Sequence, residues 1–247
     1  METIELCNIR KNSYTRTESL RALKTNLQFC GDDIKTILFT SSVPDEGKST
    51  VTFDLAHSLT ESGKSVLLID TDMRKSVLVG RLRAKTVGKK EIQGLSHYLS
   101  GQKKLTDVLY ATQIPKLFMI FAGPSVPNPT EILEKRYFAE LMDFARGQFD
   151  YVLIDCAPIG AAIDAAIVAK HCDGAVLVVA QGVANSRMIN SVKKQLEASG
   201  VRILGAVLNK VKMENSHYGK YYGRYYGNYY GSYYGNYYRK SEKEEQE

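Results

Sequence analysis

The chain alternates short, unbroken apolar runs with longer segments of helical period. TILFTS (36–41), SVLLID (65–70), LFMIFAG (117–123), YVLID (151–155), GAVLVVA (174–180) and ILGAVLN (203–209) lack the alternation of a half-exposed strand. Strands of this kind are buried on both faces, as in a parallel sheet held between layers of helices. Between them, Leu20, Leu23 and Leu27 fall at i, i+3 and i+7 and predict a helix over 15–29, ended by Gly31. Further helices are expected at 48–62 (stopped by Gly63), 130–146, 161–169 and 185–198, with short ones at 94–99 and 105–110. Residues 1–14 read as irregular and 71–92 as a long basic loop. Strand and helix take turns, so the predicted fold is α/β, a doubly wound, mostly parallel sheet flanked by helices. Ligands in such sheets bind at the carboxyl ends of the strands.

The pattern stops near residue 212. From His217 onward the sequence becomes a YYGx repeat holding Tyr218, Tyr221, Tyr222, Tyr225, Tyr226, Tyr229, Tyr230, Tyr233, Tyr234, Tyr237 and Tyr238. Glycine at every fourth place and the lack of aliphatic residues argue against a packed unit. The expected organisation is a nucleotide-binding domain over 1–212 and a flexible, disordered tail over 213–247. Extended, such a tail spans on the order of 100 Å, enough to enter a neighbouring chain's site.

Composition narrows the function classes. The formal net charge is +6 over 247 residues. Arg74, Lys75, Arg81, Arg83, Lys85, Lys89 and Lys90 form a basic stretch without an acid, readable as a solvated loop or as a dock for an anion. No nucleic-acid motif accompanies the charge, so nucleic acid is not an expected partner. Cys7, Cys30, Cys156 and Cys172 have no paired spacing, which points to reduced thiols in the cytoplasm. No apolar run approaches the ~20 residues of a membrane span, so membrane contact is expected only through a partner.

Three motifs carry chemistry. SVPDEGKST (42–50) lies between a strand and a helix and matches a Walker A P-loop, with Ser42 where the first Gly is usual. Ser42, Val43, Pro44, Asp45, Glu46, Gly47, Lys48, Ser49 and Thr50 are the candidate phosphate cradle. Within it, Lys48 can bridge the β- and γ-phosphates and Ser49 can ligate Mg²⁺. VLLIDTDMR (66–74) sets Asp70 and Asp72 at a strand's carboxyl end, where paired carboxylates call for a metal or a proton. YVLIDCAP (151–158) places Asp155 as a Walker B acid. The candidate metal set is therefore Ser49, Asp72 and Asp155, and the catalytic set Lys48, Asp70 and Asp72, with Asp70 as the base. Asp164 is either a helix cap or a supporting acid. In LNKVK (208–212), Lys212 stands where a guanine-reading motif needs Asp, which favours ATP; Asn209 can contact adenine or be an ordinary loop residue.

Together TSSVPDEGKST, LLIDTDMR and VLIDCAP resemble the Walker A, A′ and B motifs of the bacterial tyrosine kinases of capsule and exopolysaccharide synthesis. GPSVPNPTEIL (123–133), GLSHYLSG (94–101) and the tyrosine-rich end extend the resemblance over nearly the whole chain. It implies an ATP- and Mg²⁺-dependent protein-tyrosine kinase that autophosphorylates its tyrosine cluster in trans within a ring-like homo-oligomer. It further implies a separate cytoplasmic subunit of the Gram-positive type, activated by a transmembrane chain-length-regulator protein and opposed by a cognate tyrosine phosphatase. The family's oligomerisation motif, Glu-x-x-Arg-x-x-Arg, corresponds to Glu18, Arg21 and Lys24 in the first helix (about 15–30). Lys24 lacks the planar fork of Arg. Two rival readings remain: a partition- or cell-division-like switch ATPase whose tail only mediates association, and a non-enzymatic scaffold. The ATPase group carries a signature Lys ahead of its P-loop, and Ser42 stands in that place here.

Overall fold

The structure, a computed structural model, describes residues 1–10, 13–88 and 90–212. Two units are distinguished, Met1–Asn209 and Lys210–Glu247. The eleven tail tyrosines and Lys89 lie outside the described residues.

The first unit opens with β1 (Glu2–Leu6), α1 (Tyr14–Gln28), β2 (Thr36–Ser41), α2 (Lys48–Glu61), β3 (Val66–Asp70), α3 (Leu78–Leu82) and β4 (Ala84–Thr86). It continues through α4 (Leu95–Leu99), α5 (Leu105–Val108), β5 (Tyr110–Thr112), β6 (Leu117–Ile120), α6 (Pro129–Leu133) and α7 (Arg136–Gln148). β7 (Tyr151–Asp155), α8 (Asp164–Ala169), β8 (Gly174–Ala180), α9 (Ser186–Ala198) and β9 (Ile203–Asn209) complete it. The nine strands form one sheet in the order β4-β1-β5-β6-β3-β7-β2-β8-β9. From β6 to β9 every pairing is parallel; β4 on β1 and β5 on β6 are antiparallel.

Successive residues of the central strands serve opposite layers. Ile37, Phe39, Val66, Leu68 and Leu153 pack under α2 with Val51, Leu55 and Leu59. Leu38, Leu67, Ile69, Val152 and Ile154 pack under α7 and α8 with Phe138, Leu141, Met142 and Val168. Each such fully buried aliphatic side chain contributes about 1.5–3 kcal/mol relative to exposure. Continuous apolar sequence in these strands thus reflects two cores, one on each face.

Four expectations are corrected. Glu2–Leu6 is a strand whose polar alternation fits an outer position, with only Ile4 and Leu6 buried. The expected basic loop holds α3 and β4, anchored by Leu78, Leu82 and Ala84 in the core. The helix expected over 130–146 breaks into α6 and α7 at Glu134 and Lys135; Lys135 adopts extended backbone. β9 is only partly covered, because it is the outer strand beside β8.

At the amino ends of β2 and β8, Asp173 ties the sheet. Its carboxylate accepts from the backbone N–H of Lys35 (3.0 Å) and Thr36 (2.7 Å), from the Thr36 hydroxyl (2.7 Å) and from the Arg146 guanidinium. Burial raises its proton affinity, but the Thr36 and Arg146 hydrogen bonds outweigh burial and hold its pKa below the usual 3.8. A carboxyl whose folded pKa is depressed stabilises the fold above its unfolded pKa and loses that contribution as pH falls through the folded value. Asp173→Asn is expected to lower stability at pH 7 by about 1–3 kcal/mol. In urea melts the gap should narrow as pH falls below the unfolded carboxyl value of 3.8 and vanish once the folded carboxyl has taken up its proton. A gap independent of pH would rule out the charge as its source.

Candidate functional site

The site is built where β2, β3 and β7 end side by side. After Ser41 the chain passes through the exposed crest of Pro44 and Asp45 and enters α2 at Gly47, which takes φ 92° and ψ 18°. Glycine adopts that left-handed conformation without a Cβ penalty. The first N–H groups of α2 have no intrahelical acceptor, and the helix dipole makes this end attractive to anions. A Cβ on Gly160, in the loop after β7, would lie 2.2 Å from the Ser42 carbonyl oxygen, so that loop packs directly on the start of the P-loop.

Lys48 and Ser49 are buried at the start of α2. The Lys48 Nζ lies 3.2 Å from Asp72 Oδ2, 3.5 Å from Asp155 Oδ1 and 3.4 Å from Ser49 Oγ. Burial lowers its proton affinity, but Asp155, Asp72 and Asp70 together overcome that and raise its pKa. Asp70 and Asp155 are register partners at the ends of β3 and β7. Burial, and then the Asp155 charge, push Asp70 up to about 8. Its two oxygens accept from the Asp72 N–H (3.0 Å) and the Ser76 hydroxyl (2.6 Å). Asp72 also receives the Lys75 N–H at 3.0 Å. Asp155 is likewise raised by burial, against the pull of Lys48. Its Oδ1 is buried without a hydrogen-bond partner.

A buried carboxylate oxygen met by the Lys48 ammonium only at 3.5 Å, beside a serine hydroxyl, fits the donor chemistry of Mg²⁺. That ion is usually held by one or two carboxylates while keeping phosphate and water ligands. Among the described residues no cluster of three or more His, Cys, Asp or Glu side chains forms an all-protein cage.

Lys48, Ser49, Asp70, Asp72 and Asp155 therefore converge as their motifs suggest. Other residues sit differently from expectation. The Glu46 side chain is fully buried, and its carboxylate accepts from the Ser42 and Val43 N–H groups instead of facing the cradle. The Asn209 amide donates to the Glu46 carbonyl oxygen at 2.9 Å. Thr50 is capped by the Arg81 guanidinium. Arg74 forms a two-point contact with Asp164, Nε to Oδ2 at 2.6 Å and Nη2 to Oδ1 at 3.0 Å, and Thr130 adds a third bond at 2.9 Å. Asp164 thereby joins the loop after β3, the start of α6 and the segment after β7. Two members of the basic stretch, Arg74 and Arg81, are thus committed to the site's frame, while Lys75, Arg83, Lys85 and Lys90 are exposed. On α1, Glu18 pairs with Arg21 at 2.7 Å, and Lys24 reaches Ser62, just past the end of α2, at 2.6 Å.

Sheet order, P-loop and the acids at the ends of β3 and β7 define a P-loop nucleoside-triphosphate-binding protein. The AAA domain family matches residues 34–216. The chain is 39% identical over 222 residues to the tyrosine-protein kinase CpsD of Streptococcus agalactiae, covering 90% of this chain and 95% of that one. It is 35% identical over 209 residues to the tyrosine-protein kinase YwqD of Bacillus subtilis, covering 83% and 86%. The kinase domain of the Escherichia coli tyrosine kinase ETK superposes with a TM-score of 0.75 at 27% identity, over 85% of this chain and 86% of that one. The septum site-determining protein MinD of Pyrococcus horikoshii, complexed with Mg-ADP, gives 0.59 at 27% identity over 70% and 69%. The chain belongs to the bacterial tyrosine kinases, and its activity is protein-tyrosine phosphorylation. Among the described residues no helix is long and apolar enough to cross a membrane.

Proposed function

We propose that the chain transfers the γ-phosphoryl group of ATP to tyrosines of its own C-terminal cluster, from one copy to another within a homo-oligomer. The observation that carries this reading is the meeting of Lys48 with Asp72 and Asp155 within 3.5 Å at the mouth of a P-loop. In this reading the first turn of α2 and Lys48 hold the phosphates. Ser49, Asp72 and Asp155 would hold Mg²⁺, whose charge would offset that of the phosphates. The acceptor phenol oxygen forms a bond to the γ-phosphorus, and the bond from that phosphorus to the β–γ bridging oxygen breaks. ADP leaves with the electron pair, and the phenolic proton passes to Asp70, which takes it up in its ionised form. Positioning and charge stabilisation supply most of the rate in such transfers.

Kinship with CpsD and YwqD supports a role in regulating capsule or exopolysaccharide synthesis. A transmembrane activator, a cognate phosphatase and a place at the inner face of the cell membrane through that activator complete this reading. Glu18, Arg21 and Lys24 are offered as part of the contact between copies.

The test mixes two inactive-alone species. Full-length Lys48→Met supplies tyrosines, and a chain ending at residue 212 supplies the active site. With ATP, Mg²⁺ and the activator's cytoplasmic segment, phosphate is expected on Tyr218–Tyr238 of the Lys48→Met chain. ATP turnover without tyrosine modification would instead support a switch ATPase, the reading favoured by the likeness to MinD.

A further inference from the structure

Glu46 is an acid that the chemistry of phosphate binding does not call for. It lies in the P-loop, yet its side chain is fully buried. Among the described residues no Lys, Arg or His forms an ion pair with it. Its carboxylate is met entirely by backbone. Oε2 accepts from Ser42 N at 2.7 Å and Val43 N at 3.0 Å, and Oε1 accepts from Ala180 N at 3.0 Å. A buried carboxylate is costly unless hydrogen-bonded, and bonds to an ionised acceptor are about twice as strong as neutral ones. The three bonds therefore fix the beginning of the loop to the last residue of β8.

The same residue is gripped at its backbone. Asn209, the last residue of β9, donates from Nδ2 to the Glu46 carbonyl oxygen at 2.9 Å. Its own carbonyl accepts from Gln181 N at 2.9 Å. The carboxyl ends of two adjacent strands thus hold one loop residue from both sides. The P-loop's first two N–H groups are turned inward by this arrangement. A ligand is left N–H groups that follow, among them those of Gly47, Lys48 and Ser49, since Thr50 and Val51 already donate to the Gly47 carbonyl at 3.1 and 3.0 Å.

We propose that Glu46 and Asn209 are positioning residues that hold the P-loop in its phosphate-binding shape from the ends of β8 and β9. This rests on the reading that the loop binds nucleotide phosphates. It assigns Asn209 to the loop and not to the adenine ring. The two assignments differ in what they do to base preference. A loop brace acts on every ligand carrying a triphosphate, whereas an adenine contact acts on ATP alone.

The experiment measures dissociation constants of Mg·ATP, Mg·GTP and Mg·tripolyphosphate by calorimetry for full-length wild type, Glu46→Gln, Asn209→Ala and Asn209→Asp. Circular-dichroism melts run alongside. The Gln amide presents an NH₂ to N–H donors and loses the charge, so Glu46→Gln should bind all three ligands about tenfold or more weaker. Asn209→Ala and Asn209→Asp both lose the donor to Glu46 and should weaken all three ligands by a common factor of about three to ten, leaving the ATP-to-GTP ratio within twofold of wild type. In turnover the KM for ATP should rise while kcat changes less. Loss of ATP affinity alone in the Asn209 variants would overturn the inference in favour of adenine contact. Wild-type affinities in folded variants would overturn it outright. Should Glu46→Gln not fold, the Asn209 pair decides by the same criteria. A wild type that binds none of the ligands would remove the nucleotide reading and this inference with it; unchanged variants beside a binding wild type remove only the inference.

Discussion

Lys48→Met is expected to lower tail phosphorylation by about three orders of magnitude or more and, at the same time, to destabilise the protein. Both effects have one source. The Lys48 ammonium is the positive centre of a pocket otherwise made of Asp70, Asp72 and Asp155, all of them buried. It touches two of the three carboxylates and is the first charge offsetting the burial of Asp155. Removing one partner from a buried pair typically costs about 3–5 kcal/mol, because the remaining charge is left uncompensated. Asp70 and Asp155, both raised by burial, can relieve that by taking up protons, so the loss should be smaller at pH 5 than at pH 8. Loss of the phosphate-bridging cation accounts for the kinetic effect, in line with the several kcal/mol that such charge stabilisation supplies. Lys48→Arg separates the two effects. It keeps the charge, so the fold should melt near the wild-type temperature. Its planar guanidinium cannot take the position of a compact ammonium, so transfer should still fall by at least about a hundredfold. Phosphotyrosine mass spectrometry with paired thermal melts reads both. An Arg variant as active as wild type would mean that charge alone is required.

The five residues of that pocket are legible in sequence because each belongs to a local pattern: a glycine before a helix, or an acid ending an apolar run. Strand order then brings them together, and the apolar runs declare the buried strands that set the order. What supports the pocket is not legible in the same way. Glu46 bonds to Ala180, Arg74 to Asp164 and Arg81 to Thr50 across long stretches of chain, and no spacing rule connects such pairs. Arg74 and Arg81 also illustrate why charge counting misleads. Both belong to a run that reads as a solvated loop, yet each guanidinium is spent on an internal acceptor. The missed strands have a different cause. Glu2–Leu6 carries two buried residues among polar ones, and Ala84–Thr86 is too short to show any period. β4 exists because it pairs with β1, and β1 because it pairs with β4 and β5, which are tertiary facts. β9 errs in the other direction: its apolar sequence matches the inner strands, but it has a strand on one side only.

Asp155→Asn should move stability and activity in opposite directions, the reverse of the joint loss expected for Lys48→Met. Asp155 is a buried carboxylate whose Oδ1 meets the Lys48 ammonium only at 3.5 Å and whose register neighbour is another acid, Asp70. Burial and the Asp72 charge oppose its ionisation, and together they outweigh the pull of Lys48. Asparagine keeps the shape and removes the charge, while Lys48 retains Asp72 at 3.2 Å. The variant should therefore melt at or a few degrees above the wild-type temperature, corresponding to about 1 kcal/mol of relieved repulsion. Phosphorylation of the tyrosine cluster should fall by about a hundredfold or more, since a neutral amide is a poor ligand for Mg²⁺. The diagnostic is the thermal shift on adding ATP. Wild type should be stabilised more by ATP with Mg²⁺ than by ATP with a chelator, and Asp155→Asn should show no such difference. If the variant keeps the wild-type Mg²⁺ increment, Asp155 is a structural acid and the metal lies on Ser49 and Asp72 alone. If it melts well below wild type, the pocket is held together by its charge pairs and carries no stored repulsion. A gain in stability with loss of transfer would show that this pocket is built for a ligand, since only a ligand's charge makes a third buried carboxylate favourable there.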